Sequence, residues 1–159
     1  MDFRKHLPGE AATAAIGRSL ALIARPGDVL ALSGDLGVGK TVLARAFIRA
    51  RCGHVDEIPS PTFTLVQLYE PAPPFMTTVY HFDLYRLNGP EEAFELGIED
   101  AFADGISLIE WPDRLGDLLP AARLDANLRY ADAPGHRILT LRGSENWAKR
   151  LVALGEDVG

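Results

Sequence analysis

Apolar positions along the chain recur with two different periods, and the alternation between them divides it into helices and strands. Between Glu10 and Ala24 they return at Ala11, Ala15, Ile16, Leu20 and Ile23, the three-to-four spacing of a helix with one buried face. Pro26-Gly27 ends that pattern and turns the chain. Val29-Leu30-Ala31-Leu32 follows as an unbroken apolar run, as in a strand covered on both sides. A second helix is expected from Thr41 to Ile48.

Ser60-Pro61-Thr62 interrupts the helical spacing, and Thr64 to Glu70 reads as a strand. Pro71-Ala72-Pro73-Pro74 is a stiff connection to another strand, Thr77 to Asp83, and its shortness favours a hairpin-like antiparallel pair. Gly89-Pro90-Glu91-Glu92 starts a short helix, with proline at its beginning and acids in its first turn. Gly105 precedes a buried strand, Ile106-Ser107-Leu108-Ile109, which ends at Glu110. Two further strands, near Leu124 to Tyr130 and Arg137 to Leu141, are joined by Ala133-Pro134-Gly135-His136. A terminal helix runs from Ser144, its expected N-cap, to about Leu154. Neither an internal repeat nor a linker interrupts the chain, so residues 1–159 read as a single α/β domain with a mixed, partly parallel central sheet.

The composition fits such a domain. Of 159 residues, 47% are hydrophobic and 24% charged. No apolar run approaches the roughly 18 residues of a membrane span, and the start, Met1 to His6, has no apolar segment like that of a signal peptide. Cys52 is the only cysteine, which excludes an intrachain disulfide and a cysteine-cluster zinc site; it reads as a small buried hydrophobe in a protein of the reducing cytoplasm. The net charge of −6 argues against unaided nucleic-acid binding, because neutralising phosphates supplies most of that affinity. Neither DNA nor a membrane is an expected partner. Basic residues do gather in the last third, at Arg123, Arg129, Arg137, Arg142, Lys149 and Arg150, where they read as a solvated face.

The strongest chemical signal lies between the first strand and the second helix. Gly34 to Thr41 reads G-D-L-G-V-G-K-T and fits the phosphate-binding pattern G-x-x-x-x-G-K-[ST] at every fixed position. Glycines let such a loop turn tightly and aim successive N–H groups at phosphate oxygens. Lys40 brings a point charge to the outer phosphates, the Thr41 hydroxyl suits a magnesium ion, and the helix N-terminus adds roughly half a positive charge. The expected nucleotide contacts run through Asp35, Leu36, Gly37, Val38, Gly39, Lys40, Thr41 and Val42.

A magnesium-dependent site also needs acids at the ends of neighbouring strands. Asp83 and Glu110 each close an apolar run in that manner, and both are expected to reach the metal, directly or through water, with Glu110 also able to orient an attacking water. With Lys40 they form the expected catalytic set. His81 points away from Tyr80 and Phe82 and reads as a hydrogen-bonded structural residue. Arg86 suits an acid or a phosphate equally. Trp111 stands either at the nucleotide mouth or as a packing anchor, and Trp147 reads as core. Thr62 or Thr64, after Ser60-Pro61, occupies the place of a phosphate-sensing switch threonine, although an ordinary Ser-Pro turn has the same look.

Asp113-Arg114-Leu115-Gly116 imitates the D-x-x-G switch of GTPases, but the guanine-reading N-K-x-D sequence is absent. A small-molecule kinase would carry an arginine-rich lid, whereas only Arg86 and Arg114 lie between residue 84 and Arg123. A nucleotide-gated protein acting on a partner fits better.

Taken together, Ser33 to Thr41, Ser60-Pro61-Thr62-Phe63-Thr64-Leu65-Val66, Tyr80-His81-Phe82-Asp83-Leu84-Tyr85-Arg86-Leu87, Glu95-Leu96-Gly97 and Ile109-Glu110-Trp111-Pro112-Asp113 stand in the order and rough spacing of the bacterial TsaE family, which the chain resembles from about residue 9 to 120. The resemblance implies a P-loop NTPase-like, three-layer α/β/α fold. It implies an ATPase, using ATP with magnesium, that joins the TsaB–TsaD pair and sustains threonylcarbamoyladenosine formation in tRNA, touching tRNA only through that complex. The family's loop lysine falls on Lys40, its metal-binding threonine on Thr41, its acids on Asp83 and Glu110, and its switch segment on Ser60 to Leu65, which singles out Thr62.

Overall fold

A computed structural model of the protein describes residues 2–53 and 57–153. The described elements are β1 (Asp2–Leu7), α1 (Glu10–Ile23), β2 (Val29–Ser33), α2 (Lys40–Cys52), β3 (Val66–Tyr69), β4 (Val79–Asp83), a 3-10 segment Pro90–Leu96, α3 (Ile98–Asp104), β5 (Ile106–Glu110), a second 3-10 segment Pro112–Leu118, β6 (Leu124–Tyr130), β7 (Arg137–Gly143) and α4 (Glu145–Ala153). The strands form one sheet in the order β1-β7-β6-β2-β5-β4-β3. Its middle, β6-β2-β5-β4, is parallel; β3 pairs antiparallel with β4 as the short proline loop predicts, and β7 and β1 extend the other side antiparallel.

Helices cover both faces. Ile16 and Leu20 of α1, Leu43 and Phe47 of α2, and Trp147 and Leu151 of α4 bury Leu30, Leu32, Leu108 and Leu124 of the sheet. Ala93, Ile98, Ala101 and Leu115, from α3 and the two 3-10 segments, cover Val29, Phe82 and Ile109 on the opposite side. This is a mixed-sheet α/β fold of three layers, the second helical layer being thin. α1 and α2 approach closely because Gly17 has no side chain: a Cβ there would lie 2.4 Å from the Leu43 carbonyl oxygen.

Several elements differ from the sequence expectation. β1 is an additional strand, its Phe3 and Leu7 turned toward the core. α3 is additional too. α2 extends to Cys52, half-buried rather than fully buried. β3 is shorter than Thr64 to Glu70 because Leu65 takes φ 67, a left-handed conformation outside a strand. β4 starts at Val79 rather than Thr77. Ser144 directly precedes α4 and its carbonyl accepts the Ala148 N–H, as an N-cap carbonyl does, while Leu154 lies outside the described residues. Trp147 is core, 2% exposed.

Candidate functional site

Parallel strands β2, β5 and β4 end at the same edge of the sheet, the place where doubly wound α/β sheets present ligands. β2 runs into the loop of Gly34 to Gly39, which leads directly into α2. Gly34, Gly37 and Gly39 have φ of 136, 77 and 120, values that L side chains rarely adopt. A Cβ on Gly34 would also lie 2.2 Å from the Leu128 carbonyl oxygen, so the loop can sit against β6 only with glycine there. Val38 turns its side chain into the core. Asp35, Leu36 and Gly37 form the exposed crest. The α2 start leaves first-turn N–H groups without helical partners, a disposition suited to an anion.

Lys40 is 4% exposed; its Nζ donates to the Gly34 carbonyl and lies 3.6 Å from the centre of the Trp111 ring. Burial holds its pKa below the usual lysine value, against the opposing pull of Glu110, Asp83, Asp35 and Asp113. An ammonium already partly desolvated and bonded to a carbonyl is ready to exchange that partner for a phosphate oxygen.

Asp83 and Glu110 are brought together. Thr41 Oγ1 donates to both carboxylate oxygens of Glu110, at 3.0 and 3.2 Å. His81 Nε2 is 2.7 Å from Glu110 Oε2. Thr62 Oγ1 donates to Asp83 Oδ2 at 3.3 Å and lies 3.0 Å from Ser60 Oγ. The Asp83 N–H in turn donates to the Leu65 carbonyl, which ties the Ser60 to Leu65 segment to β4. Two non-glycine residues with positive φ, Leu65 at 67 and Trp111 at 60, thus attach directly to the two acids. Such strained conformations persist only where surrounding structure dictates them.

A cleft of about 190 Å³ is lined by Leu36, Gly37, Gly39, Lys40, Thr41, Val42, Ser60, Thr62, Asp83, Glu110 and Trp111. All the expected site residues but two are therefore on one hollow; Val38 faces the core and Asp35 the solvent. A larger hollow, about 450 Å³, lies between α1 and α2 among Glu10, Arg18, Arg45 and Arg49, and it shares only Val42 with this cleft. The smaller one gathers the glycine loop, Lys40, Thr41 and both acids.

Magnesium would suit the cleft. Thr41, Asp83 and Glu110 offer hard oxygen donors, and two carboxylates, each 5% exposed or less, face a single buried lysine. Among the described residues no cluster of three or more His, Cys, Asp or Glu can enclose a metal, so an ion here would need the Thr41 hydroxyl, phosphate oxygens or water as well.

The remaining candidates are placed differently from the expectation. Arg86 stacks on Phe63, 4.7 Å from its ring centre, rather than on an acid. Trp111 is half-buried and lines the cleft. The basic last third is not a uniformly solvated face: Arg123 pairs with Asp125, Arg142 with Asp2, Lys149 with Glu145 and Arg150 with Asp28. Arg137 instead donates to the Val38 carbonyl at 2.9 Å, and Tyr130 Oη to the Leu36 carbonyl at 3.1 Å. These two loop-bracing residues escape sequence reading, because their partners are 99 and 94 positions away. Only the strand hairpin bearing them gave a signal.

A profile of the family described as threonylcarbamoyl adenosine biosynthesis protein TsaE matches residues 7–138. The tRNA threonylcarbamoyladenosine biosynthesis protein TsaE of Rickettsia bellii is 43% identical over 126 residues, which cover 79% of this chain and 85% of that one. Its namesake from Bacillus subtilis is 37% identical over 120 residues, 75% of this chain and 72% of the relative. The crystal structure of Bacillus subtilis YdiB superposes with a TM-score of 0.77 at 28% identity, covering 97% of this chain and 94% of that one, in keeping with a P-loop NTPase-like fold. No helix among the described residues is long and apolar enough to cross a membrane. The chain belongs to the TsaE family of tRNA threonylcarbamoyladenosine biosynthesis.

Proposed function

We propose that this protein binds ATP with magnesium in the cleft above α2, associates with the TsaB–TsaD pair in the cytoplasm, and hydrolyses ATP to sustain threonylcarbamoyladenosine formation on tRNA. The observation that carries this reading is the Thr41 hydroxyl bonded to Glu110, with Asp83 opposite, beside a glycine loop that fits the phosphate-binding pattern. Loop N–H groups from Gly37 to Thr41 would hold the inner phosphates, and Lys40 would leave the Gly34 carbonyl for the outer ones. Thr41, Asp83 and Glu110 would hold the magnesium ion, whose positive charge would offset the negative charge of the outer phosphates. Glu110 would also orient a water toward the terminal phosphate, and Thr62 would follow the state of that phosphate through its bond to Asp83.

The alternative is a small-molecule kinase of the P-loop class. Its lid arginines would have to be Arg86 and Arg114, and these instead stack on Phe63 and Tyr85. Leu36, on the cleft wall, is 64% exposed, and Phe63, next to Thr62 in the chain, is 82% exposed, apolar exposure of the kind found on a surface that meets another protein.

The reading is tested by multiple-turnover tRNA modification with a reconstituted TsaB–TsaD pair and ATP, with this protein, without it, and with its Lys40→Ala variant. Turnover that rises with the wild type and returns to baseline with a folded Lys40→Ala supports it. Turnover indifferent to the protein rejects it.

A further inference from the structure

We propose that His81 is the positioning residue for Glu110, holding its carboxylate in the orientation that the magnesium ion requires. The inference rests on the magnesium reading above. β4 is an apolar strand except at His81 and its terminal Asp83, and His81 is fully buried within it. Of the two ring nitrogens, Nε2 meets Glu110 Oε2 at 2.7 Å, while Nδ1 is buried with no hydrogen-bond partner. Whichever way the ring is protonated, Nδ1 remains unsatisfied, a cost to folding that a leucine in the same strand would avoid. A histidine kept merely to fill space would not sit there. Among the described residues, Glu110 is the ring's one hydrogen-bond partner.

That contact leaves the carboxylate asymmetric. Oε2 receives both His81 and Thr41, whereas Oε1 receives Thr41 alone. Oε1 is thus the oxygen with lone pairs to spare for a cation. His81 holds the group from β4 and Thr41 holds it from α2, so a glutamate, with more side-chain torsions than an aspartate, still presents a fixed oxygen. Groups that bond to a metal ligand from behind tune affinity for the metal by about 10–100-fold.

The test compares wild type, His81→Leu and His81→Gln by titrating magnesium into a fluorescent ATP analogue bound to the protein, with parallel binding in EDTA and circular dichroism. Glutamine retains an N–H near the position of Nε2, and leucine removes it. The expected result for His81→Leu is a rise of about 10–100-fold in the magnesium concentration needed for half-maximal effect, with metal-free nucleotide binding unchanged and wild-type behaviour restored in His81→Gln. In a Glu110→Gln background the His81→Leu effect should vanish, since it acts through that carboxylate. If His81→Leu does not fold, His81→Asn, whose amide ends near the position of Nδ1, replaces it. A folded His81→Leu with wild-type magnesium dependence overturns the inference, as does a His81→Gln no better than His81→Leu. Wild-type nucleotide binding that ignores magnesium overturns instead the reading on which it rests.

Discussion

Asp83 and Glu110 are register partners, each the last residue of its strand, on adjacent parallel strands β4 and β5. Their meeting is a property of the sheet rather than of either side chain. Parallel neighbours in register carry their carboxyl ends to one edge, where α2 begins. The Thr41 hydroxyl then joins Glu110, and the Thr62 hydroxyl joins Asp83, so each acid is tied to a different chain segment.

Glu110→Gln should separate binding from turnover. The amide keeps the shape and the bond with Thr41 but loses the charge that a cation or a water needs. ATP turnover is expected to fall about 100-fold, in the range for losing a positioned acid–base group, while nucleotide binding in the absence of metal is retained. Steady-state hydrolysis and equilibrium nucleotide titration on the same preparation check this. Equal loss of both would make the carboxylate a structural one.

Arg137→Ala should loosen the loop without unfolding the sheet. Its guanidinium spans the Val38 carbonyl and the Tyr130 ring, whose hydroxyl holds the Leu36 carbonyl. Losing one charge-assisted hydrogen bond predicts about tenfold weaker nucleotide binding. Lysine should not rescue it, because an ammonium cannot both stack broadly on the ring and donate in the same plane. Calorimetric titration of Arg137→Ala and Arg137→Lys decides, and wild-type affinity in either would remove the brace from the account.

Buried Lys40 makes a pH signature. Its pKa is lowered from 10.5 by burial, so the unfolded chain holds this proton more tightly than the folded one. Stability should therefore rise with pH in the interval between the lowered value and 10.5, the proton no longer being forced into the cleft. Lys40→Met carries no such proton. Its gain in melting temperature over wild type, measured without nucleotide, should be largest near neutrality and shrink as pH climbs through that interval. A gain constant with pH would refute the burial account.

Arg150 is the main electrostatic tie in the helical layer. It pairs with Asp28 at 2.6 Å, donates to the Ile23 carbonyl at 2.8 Å and covers the Trp147 ring at 3.8 Å. Both charged partners are nearly buried. Arg150→Ala is expected to cost about 3 kcal/mol by leaving Asp28 uncompensated. Chemical denaturation measures it, and adding Asp28→Asn should recover part of the loss.

What could be read from the sequence follows from how local each feature is. The loop, its lysine and its threonine are a fixed run of residue types, so they were legible. So were Asp83 and Glu110, because an apolar run closed by an acid is a local pattern. β1 was not, since its outward Asp2, Arg4 and His6 and its inward Lys5 hide the alternation of Phe3 and Leu7. The pairing of His81 with Glu110 depends on strand order, which no local pattern encodes. Ion pairs such as Arg142 with Asp2, 140 positions apart, depend on it equally, and they neutralise charges on a face whose Arg142 and Lys149 stay exposed.

The edge position of β1 has a practical consequence. β1 pairs with β7 along its whole length, β7 with β6, and this hairpin carries Tyr130 and Arg137 to the loop. Variants trimmed at the N-terminus, or fused there to a bulky tag, would therefore disturb nucleotide handling while sparing every residue of the cleft. Comparisons between preparations should keep that end of the chain identical.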